Sequence, residues 1–341
     1  MRDLLVVGGG PAGLATALHA ARAGLDVTVW ERRAGTIDKA CGEGLMPGAV
    51  TALAGLGVDP EGEALTGIRY LSGDRAVDAP FRSIPGRGVR RTTLHDALRS
   101  AASDAVVKIE QRSASVVRPD PEGVTVDGER FRHVVAADGL HSPVRRTLGL
   151  DAGPAPHRRY GLRRHYRIAP WTSYVEVHWA DNVEAYVTPV AGDVVGVAIL
   201  TSTQRSFDDQ LGQVPTVLRR LHDAPALGNV LGAGPLRQRA SARVAGRVLL
   251  VGDAAGYVDA LTGEGVALAV AQARAAVAAI VADQPQRYEH DWHTVTRRYR
   301  LLTASLLGAT RIPPVRRALV PAAERLPGVF AAAVNALARP A

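Results

Sequence analysis

Asp3-Leu4-Leu5-Val6-Val7-Gly8-Gly9-Gly10-Pro11-Ala12-Gly13 is the stretch of this 341-residue chain that decides its fold. The apolar run at its start is typical of a buried strand, and it leads directly into a glycine loop. Apolar residues then recur at helical spacing over residues 14–25, and residues 27–30 have the pattern of a second strand. The stretch therefore predicts a strand, helix, strand unit.

The glycine pattern Gly8-x-Gly10-x-x-Gly13 is common by itself, and its context makes it specific. A predicted strand precedes it, and a predicted helix that opens with Pro11 and Ala12 follows it. Glycines let the backbone approach a pyrophosphate at a helix N-terminus, where free N–H groups and the helix dipole favour negative charge. These residues are therefore predicted to bind the phosphates of a dinucleotide.

An acidic residue, Glu31, ends the second predicted strand about 20 residues after the loop, which is the usual spacing in dinucleotide-binding folds. Its carboxylate can accept hydrogen bonds from a ribose. Arg32 and Arg33 would suit the 2′-phosphate of NADP, but Glu31 would repel that group. We therefore assign Glu31 and Arg32 to the predicted cofactor site.

A second apolar run delivers Gly252 and Asp253 at the C-terminal end of a predicted strand, where ligands bind in such sheets. Gly263, Glu264 and Gly265 then open a helix whose amides can hold the electron-rich end of a reduced flavin. Asp253 would hydrogen-bond the ribityl chain, although alone it also fits a helix N-cap. The two signals together favour non-covalent FAD, because a plain NAD dehydrogenase leaves the second one without a purpose.

Two further motifs are Ala137-Asp138-Gly139 and the arginine-x-x-leucine pattern that begins at Arg91. With them the chain resembles the flavoprotein superfamily that contains the aromatic hydroxylases and the geranylgeranyl reductases. The resemblance covers residues 8–265. It implies that the Asp138 segment serves both FAD and NAD(P)H and that the Arg91 helix faces the flavin, and it leaves the reaction open.

Weaker sequence features bear on the type of reaction, and they point in opposite directions. Residues 39–45, which include Cys41, resemble the cysteine-glycine stretch that places a thiol near the flavin in geranylgeranyl reductases. Gly256, where many hydroxylases carry histidine, also favours a reductase. Conversely, Tyr186 is the one remnant of the reductases' aromatic pattern over the isoprenoid cavity, and their long C-terminal lipid-binding region is short or absent. Cys41 and Tyr186 are therefore candidate pocket residues without an assigned catalytic role.

The function predicted first is an FAD-dependent monooxygenase that uses NAD(P)H and O2 to hydroxylate a small apolar or phenolic secondary metabolite. The alternative is a flavoprotein similar to geranylgeranyl reductase that saturates an alkene or reduces a quinone. A third hypothesis, of another class, is a flavin-binding module without turnover. In the two enzyme hypotheses the flavin performs the redox step, and the protein contributes orientation and electrostatics.

The predicted fold class is α/β, with a Rossmann-type FAD-binding domain on a mixed parallel sheet, an inserted antiparallel substrate domain and C-terminal helices. The strand-rich block at residues 160–200 carries the insertion. The predicted division assigns residues 1–75, 101–159 and 236–285 to the FAD-binding domain, residues 76–100 and 160–235 to the substrate domain, and residues 286–341 to the C-terminal helices.

The composition, with 47% hydrophobic and 22% charged residues, is that of a globular protein. Its formal net charge of +8 comes from arginine, since lysine occurs only at Lys39 and Lys108. No basic run is interleaved with aromatic residues, so we predict a small-molecule substrate and no nucleic-acid partner.

The single cysteine excludes an internal disulfide and a multi-cysteine metal site, so no metal is predicted and the cytoplasm is the expected location. No signal-peptide pattern is seen, and the longest apolar run, residues 266–282, suits a buried helix. The basic tail can touch a membrane surface or present a solvated face. Its arginines are Arg311, Arg316, Arg317 and Arg325. The sequence leaves the oligomeric state open.

Overall fold

The computed structural model describes residues 1–155 and 157–339. In chain order the strands are β1 Arg2–Val7, β2 Val27–Glu31, β3 Gly44–Leu45, β4 Glu63–Leu65, β5 Gly67–Ser72, β6 Arg75–Pro80, β7 Gly86–Gly88, β8 Lys108–Gln111, β9 Val117–Pro119, β10 Val124–Val126, β11 Glu129–Ala136, β12 Tyr160–Arg167, β13 Tyr174–Trp179, β14 Val183–Ala191, β15 Val194–Thr201, β16 Ala226–Ala233, β17 Val244–Ala245 and β18 Val248–Leu250. The helices are α1 Pro11–Arg22, α2 Pro47–Ala54, α3 Arg91–Asp104, α4 Pro143–Thr147, α5 Phe207–Leu211, α6 Pro215–Arg220, α7 Gly265–Val281, α8 Arg287–Ala309, α9 Pro313–Arg325 and α10 Pro327–Leu337, with a 3-10 turn at Gly252–Ala255.

The first sheet has the order β17-β18-β11-β1-β2-β8, and β9 and β10 extend it beside β11. Strands β8, β2, β1, β11 and β18 run parallel to one another, as expected of apolar strands joined by helical crossovers, whereas β10 and β17 pair antiparallel with β11 and β18. Helices α1, α3 and α7 pack together beside this sheet, and the main hydrophobic core lies around it. The predicted α/β fold of Rossmann type is therefore confirmed.

The dipeptide Asp127-Gly128, a sequence pattern typical of a hairpin turn, joins β10 and β11 as a hairpin. Both residues have a positive φ, +46° and +88°, which is the conformation of a type I′ turn. A short sequence pattern was sufficient here because the turn depends on local backbone geometry.

The second sheet has the order β16-β12-β15-β14-β13-β5-β6. Its pairs are antiparallel, as predicted, except that β13 and β5 run parallel. One face packs on α5 and α6 through side chains such as Val183 and Val187 of β14. The other face turns Val177 and Trp179 towards the C-terminal helices.

The strand pairing sets the division between the two sheets at different positions from the predicted ones. The predicted boundary after residue 75 falls at the start of β6, which pairs with β5 in the second sheet. Helix α3, most of which was assigned to the substrate domain, packs on α1 beside the first sheet. Sheet membership depends on the distant partner β13, and the local pattern of residues 67–80 does not contain that information.

Helices α8, α9 and α10 follow α7, and α9 and α10 pack on β6 of the second sheet. Arg316, predicted as part of a basic surface, instead donates hydrogen bonds to the carbonyl oxygens of Ala180 at 2.7 Å and Val183 at 2.9 Å. Arg317 pairs with Asp181 at the surface. Over residues 1–155 and 157–339, no helix is both long and apolar enough to cross a membrane.

Candidate active site

The glycine loop between β1 and α1 allows no side chain at two of its positions. Gly8 has a φ of +107°, and a Cβ there would lie 2.5 Å from the carbonyl oxygen of Ala137. A Cβ on Gly13 would lie 1.8 Å from the carbonyl oxygen of Gly8. These approaches hold the strand end against the first turn of α1, so the N–H groups of the helix start face an open cradle.

Glu31 lies beside this cradle, at the end of β2. Its Oε2 accepts a hydrogen bond from the N–H of Gly9 at 2.8 Å, and its Oε1 accepts one from the N–H of Arg33 at 3.0 Å. Each carboxylate oxygen keeps a lone pair for a ligand hydroxyl. The neighbouring Arg32 is exposed and, within the described residues, forms no ion pair.

Helix α3 supports the loop from its other side. The Arg91 guanidinium reaches Gly10, with Nη2 at 4.0 Å from the position of a Cβ on that glycine. One turn further on, Nε2 of His95 is 3.0 Å from the carbonyl oxygen of Gly9, and its Nδ1 accepts from the N–H of Ile37 at 3.3 Å. Burial lowers the pKa of His95, so a neutral ring that donates from Nε2 satisfies both contacts. His95 was not singled out from the sequence.

The aspartates of the other two motifs meet near the same cradle. A Cβ on Gly252, whose φ is +66°, would lie 2.7 Å from the Cβ of Ala12, so the Gly252–Ala255 turn lies against α1. Asp138 accepts from the N–H of Val144 at 3.1 Å through Oδ2, whereas its buried Oδ1 has no partner among the described residues. Burial raises the pKa of both Asp138 and Asp253. Buried carboxyl groups in this state are ready to bond ligand hydroxyls.

The turn at Gly263, Glu264 and Gly265 begins α7 beside the Cys41 segment. A Cβ on Gly263 would lie 3.8 Å from the carbonyl oxygen of Gly44. Glu264 is buried, its Oε1 has no partner in the described part of the chain, and burial raises its pKa to about 8. The structure thus brings together motifs that lie more than two hundred residues apart.

These residues fit FAD. The glycine cradle and α1 would hold the pyrophosphate, Glu31 the adenine-side ribose, and the half-buried carboxyl of Asp253 the ribityl chain. The unpartnered Oδ1 of Asp138 and the α7 N-terminus at Gly265 would lie towards the flavin side. When bound, FAD supplies two-electron redox chemistry that no side chain offers.

A family model described as FAD binding domain matches residues 1–207, which is more than half of the chain. The chain belongs to this FAD-binding family. It is an FAD-dependent oxidoreductase of the superfamily that the motifs indicated, and FAD as its cofactor is confirmed.

Relatives with sequence similarity are reductases by name. The chain is 33% identical over 305 residues to the menaquinone reductase of Mycobacterium tuberculosis (strain ATCC 25618 / H37Rv), covering 77% of this chain and 72% of the relative. It is 29% identical over 301 residues to digeranylgeranylglycerophospholipid reductase 1 of Methanothermobacter thermautotrophicus, covering 77% and 73%.

Two solved structures with different names share the fold of this chain. The flavin-dependent brominase Bmp2 has a TM-score of 0.84 at 16% identity and covers 99% of this chain and 93% of its own. A geranylgeranyl bacteriochlorophyll reductase-like protein of Thermoplasma acidophilum has a TM-score of 0.78 at 21% identity, covering 94% and 90%. At these identities the likeness shows the fold alone.

A buried acid–base pair, Glu43 and His165, lies between the cradle and the second sheet. Oε2 of Glu43 is 2.6 Å from Nε2 of His165, and both side chains are almost completely buried. Oε1 of Glu43 accepts from the N–H of Arg91 at 2.8 Å, which ties the pair to α3. On the far side of the ring, Arg163 contacts Nδ1 of His165 at 3.0 Å and also bonds Asp38.

Glu43 also has a strained backbone, with a φ of +59° at a residue other than glycine. Strain of this kind is concentrated at functional sites, because the surrounding structure has to maintain it. Sequence reasoning missed the pair, since Glu43 and His165 lie 122 residues apart. The signal that could have found Glu43 is its position inside the cysteine-glycine stretch.

Cys41, a candidate pocket residue, is half-buried next to this pair. Its Sγ accepts a hydrogen bond from the N–H of Glu43 at 3.4 Å. Burial raises the pKa of the Cys41 thiol, and the nearby Arg91 opposes this shift. The sulfur is therefore a neutral thiol at neutral pH, which is a poor nucleophile.

Tyr186, the other candidate, lies on the same face of the second sheet, above the turn that begins α7. Its hydroxyl donates to the carbonyl oxygen of Leu261 at 3.1 Å. Beside it, the buried Glu184 pairs with both Arg159 and Arg316. This charged group, which the sequence did not indicate, forms part of the floor between the second sheet and the C-terminal helices.

Proposed function

We propose that this flavoprotein is a reductase that uses FAD to reduce a carbon–carbon double bond, or the quinone ring, of an apolar isoprenoid compound. The observation that carries the proposal is the buried Glu43–His165 pair beside Cys41, at the cofactor face of the second sheet. The names of the relatives, menaquinone reductase and digeranylgeranylglycerophospholipid reductase, support the same reaction class.

Reduction of a double bond or a quinone requires two electrons and two protons overall. A hydride equivalent accounts for both electrons and one proton, so the protein has to supply the second proton. In its protonated form the pair, with Oε2 of Glu43 and Nε2 of His165 2.6 Å apart, can hold this proton away from bulk water and give it to a bound substrate. Arg163 and the N–H of Arg91 hold the two side chains in this geometry.

The apolar character of the substrate is proposed from the names of the relatives, menaquinone reductase and digeranylgeranylglycerophospholipid reductase. On the same face of the second sheet, Val175, Val177 and Trp179 pack with Leu261 and with side chains of the C-terminal helices. The electron donor, with NAD(P)H as the first candidate, is part of the proposal.

The monooxygenase stays a competing hypothesis, and one experiment separates the candidates. Holoprotein is photoreduced without oxygen, mixed with a short-chain menaquinone, and the product is analysed by mass spectrometry before and after exposure to air. A gain of two hydrogens that survives air indicates a saturated double bond, and a gain that reverts in air indicates a quinol. Either result supports the proposal.

A second sample is run in ¹⁸O₂ with the same substrate and with a panel of phenols. Incorporation of ¹⁸O into a product, without a gain of two hydrogens, would refute the reductase and establish the monooxygenase. If the reduced flavin reacts with no substrate in either sample, the flavin-binding module without turnover is the remaining hypothesis.

A further inference from the structure

A cavity of about 220 Å³ lies behind the candidate flavin site. It is bordered by one side of α7, one side of α8 and the segment at residues 237–243, and it does not include the glycine loop, Glu31 or Arg91. Its inner wall contains Gly252, Asp253 and Gly265. The cavity therefore shares a wall with the cofactor motifs and is separate from the cradle.

Arginines dominate the polar lining. They are Arg237, Arg239, Arg243 and Arg300. Arg237 and Arg239 form no ion pair and donate no side-chain hydrogen bond within residues 1–155 and 157–339. Arg243 is 8% exposed and pairs with Glu289 at 3.0 Å.

Two of these arginines are held in place by an aromatic ring. The guanidinium carbon of Arg243 lies 3.9 Å from the centroid of Trp292, and that of Arg300 lies 4.9 Å from it. Stacking uses the face of a guanidinium group and leaves its in-plane N–H donors available. One donor of each is already used, because Nη1 of Arg243 bonds Glu289 at 3.0 Å and Nη1 of Arg300 contacts Nδ1 of His293 at 3.3 Å. The remaining donors are pre-organised for an acceptor, with little side-chain entropy left to lose on binding.

The charges around the cavity do not balance. Two carboxylates, Asp253 in the lining and Glu289 against Arg243, face four lining arginines. Arg145, behind the wall, has its own counter-charge in Asp151 at 3.8 Å. Burial and the neighbouring Arg243 lower the pKa of Arg300, which is the sign of a positive charge that lacks a counter-charge. An anion would relieve this excess.

We propose that the cavity is a binding site for the diphosphate group of a ligand. Planar, bidentate donors from several arginines match phosphate oxygens, and a single carboxylate would leave most of these donors unused. Two kinds of ligand carry such a diphosphate group, a nicotinamide dinucleotide and a prenyl diphosphate. The inference does not rest on the proposed reaction, because it depends on the charges and shape of the cavity alone.

The test is calorimetric titration of FAD-saturated holoprotein with inorganic pyrophosphate, with inorganic phosphate as the weaker comparison. Arg239→Gln and Arg300→Gln are each expected to weaken binding roughly tenfold, as loss of a charge-assisted hydrogen bond does. Arg205→Gln, which removes an exposed arginine outside the cavity, is expected to leave the affinity unchanged within about twofold. The flavin absorbance of each variant verifies that the cofactor site is intact.

Competition then identifies the source. Displacement of pyrophosphate by NADPH or NADH assigns the cavity to the electron donor, and displacement by geranylgeranyl diphosphate alone assigns it to a substrate; both results support the site. The proposal is overturned if pyrophosphate does not bind to the holoprotein, or if Arg239→Gln and Arg300→Gln bind it as tightly as Arg205→Gln does. Should Arg300→Gln fail to fold, Arg239→Gln with Arg237→Gln decides, because neither residue forms an ion pair in the described chain.

Discussion

The glycine loop at residues 8–13 and the cofactor-facing side of the second sheet form their sites in opposite ways. The loop is made of backbone, and its requirements are local: positive φ at Gly8 and space at Gly13. The sheet side is made of charged side chains from distant segments, such as Glu43 with His165. A backbone site can therefore be read from a short motif, whereas a side-chain site appears only after folding.

The largest effect is expected from a substitution in the glycine loop, where backbone atoms leave no space for a side chain. Gly13→Ala places a methyl group 1.8 Å from the carbonyl oxygen of Gly8, and a backbone atom cannot move aside as a flexible side chain can. We expect loss of FAD, measured as the flavin to protein absorbance ratio after purification. Gly308→Ala is the control, because its Cβ meets no atom within 4 Å and alanine favours a helix. Normal FAD content in Gly13→Ala would show that the loop tolerates a side chain.

The next effect tests the sheet side through its buried charges. Glu184→Ala leaves Arg159 and Arg316 without their shared carboxylate and is expected to cost about 3 kcal/mol of unfolding free energy. Urea denaturation of the holoprotein measures it. Asp181→Ala, which removes an exposed ion pair with Arg317, is the matched control and should leave the urea midpoint nearly unchanged. Equal effects of the two substitutions would contradict the burial argument.

The pH dependence of stability tests the turn at Glu264, which begins α7 and lies between the two regions. The Glu264 carboxyl has a pKa of about 8 in the folded protein, against 4.5 ordinarily, so the folded state keeps a proton that the unfolded chain releases. This raised pKa makes stability fall as the pH rises from about 4.5 through about 8. The unfolding temperature of Glu264→Gln, relative to that of the wild type, should therefore rise between pH 5 and pH 8. A constant difference over that range would reject the buried, protonated carboxyl.

The smallest effect concerns one hydrogen bond across the interface. Tyr186→Phe removes the hydroxyl that donates to Leu261 and keeps the ring packed against the hydrophobic cluster. We expect a loss of about 1 kcal/mol in unfolding free energy, since the carbonyl loses its partner. FAD content should not change. A loss of FAD would mean that this bond positions the α7 turn for the cofactor.

Much of the fold could be predicted because its signals are periodic and local. The strand-rich block at residues 160–200 and the helix that begins at Gly265 both appear as predicted from their sequence patterns. The parallel pairing of β13 with β5 was not predicted, because the two strands lie about a hundred residues apart and each alone fits an antiparallel hairpin. The predicted domain division, with its boundary at residue 75, stays a prediction.

The candidate site divides in the same way. The structure places Gly8, Glu31 and Asp253 around one cradle, where motifs with known spacing predicted them. The partners of Glu43 and Glu184 could not be predicted, because neither His165 nor Arg159 belongs to a motif. Membrane contact through the C-terminal helices and the predicted electron donor stay predictions.

The role of the Glu43–His165 pair is the central claim, and stopped-flow spectroscopy of photoreduced holoprotein tests it most directly. The rate of flavin reoxidation by a short-chain menaquinone, without oxygen, is measured from pH 6 to pH 9 for wild type, Glu43→Gln and Glu61→Gln. Glu61 is exposed and serves as the control for the same charge change.

The account predicts that Glu43→Gln binds FAD normally and reoxidises about 100-fold more slowly over this pH range, because the second proton then lacks its internal source. Glu61→Gln should match the wild type. If Glu43→Gln reoxidises at the wild-type rate with an unchanged pH profile, the pair does not deliver the proton and the proposed mechanism is wrong.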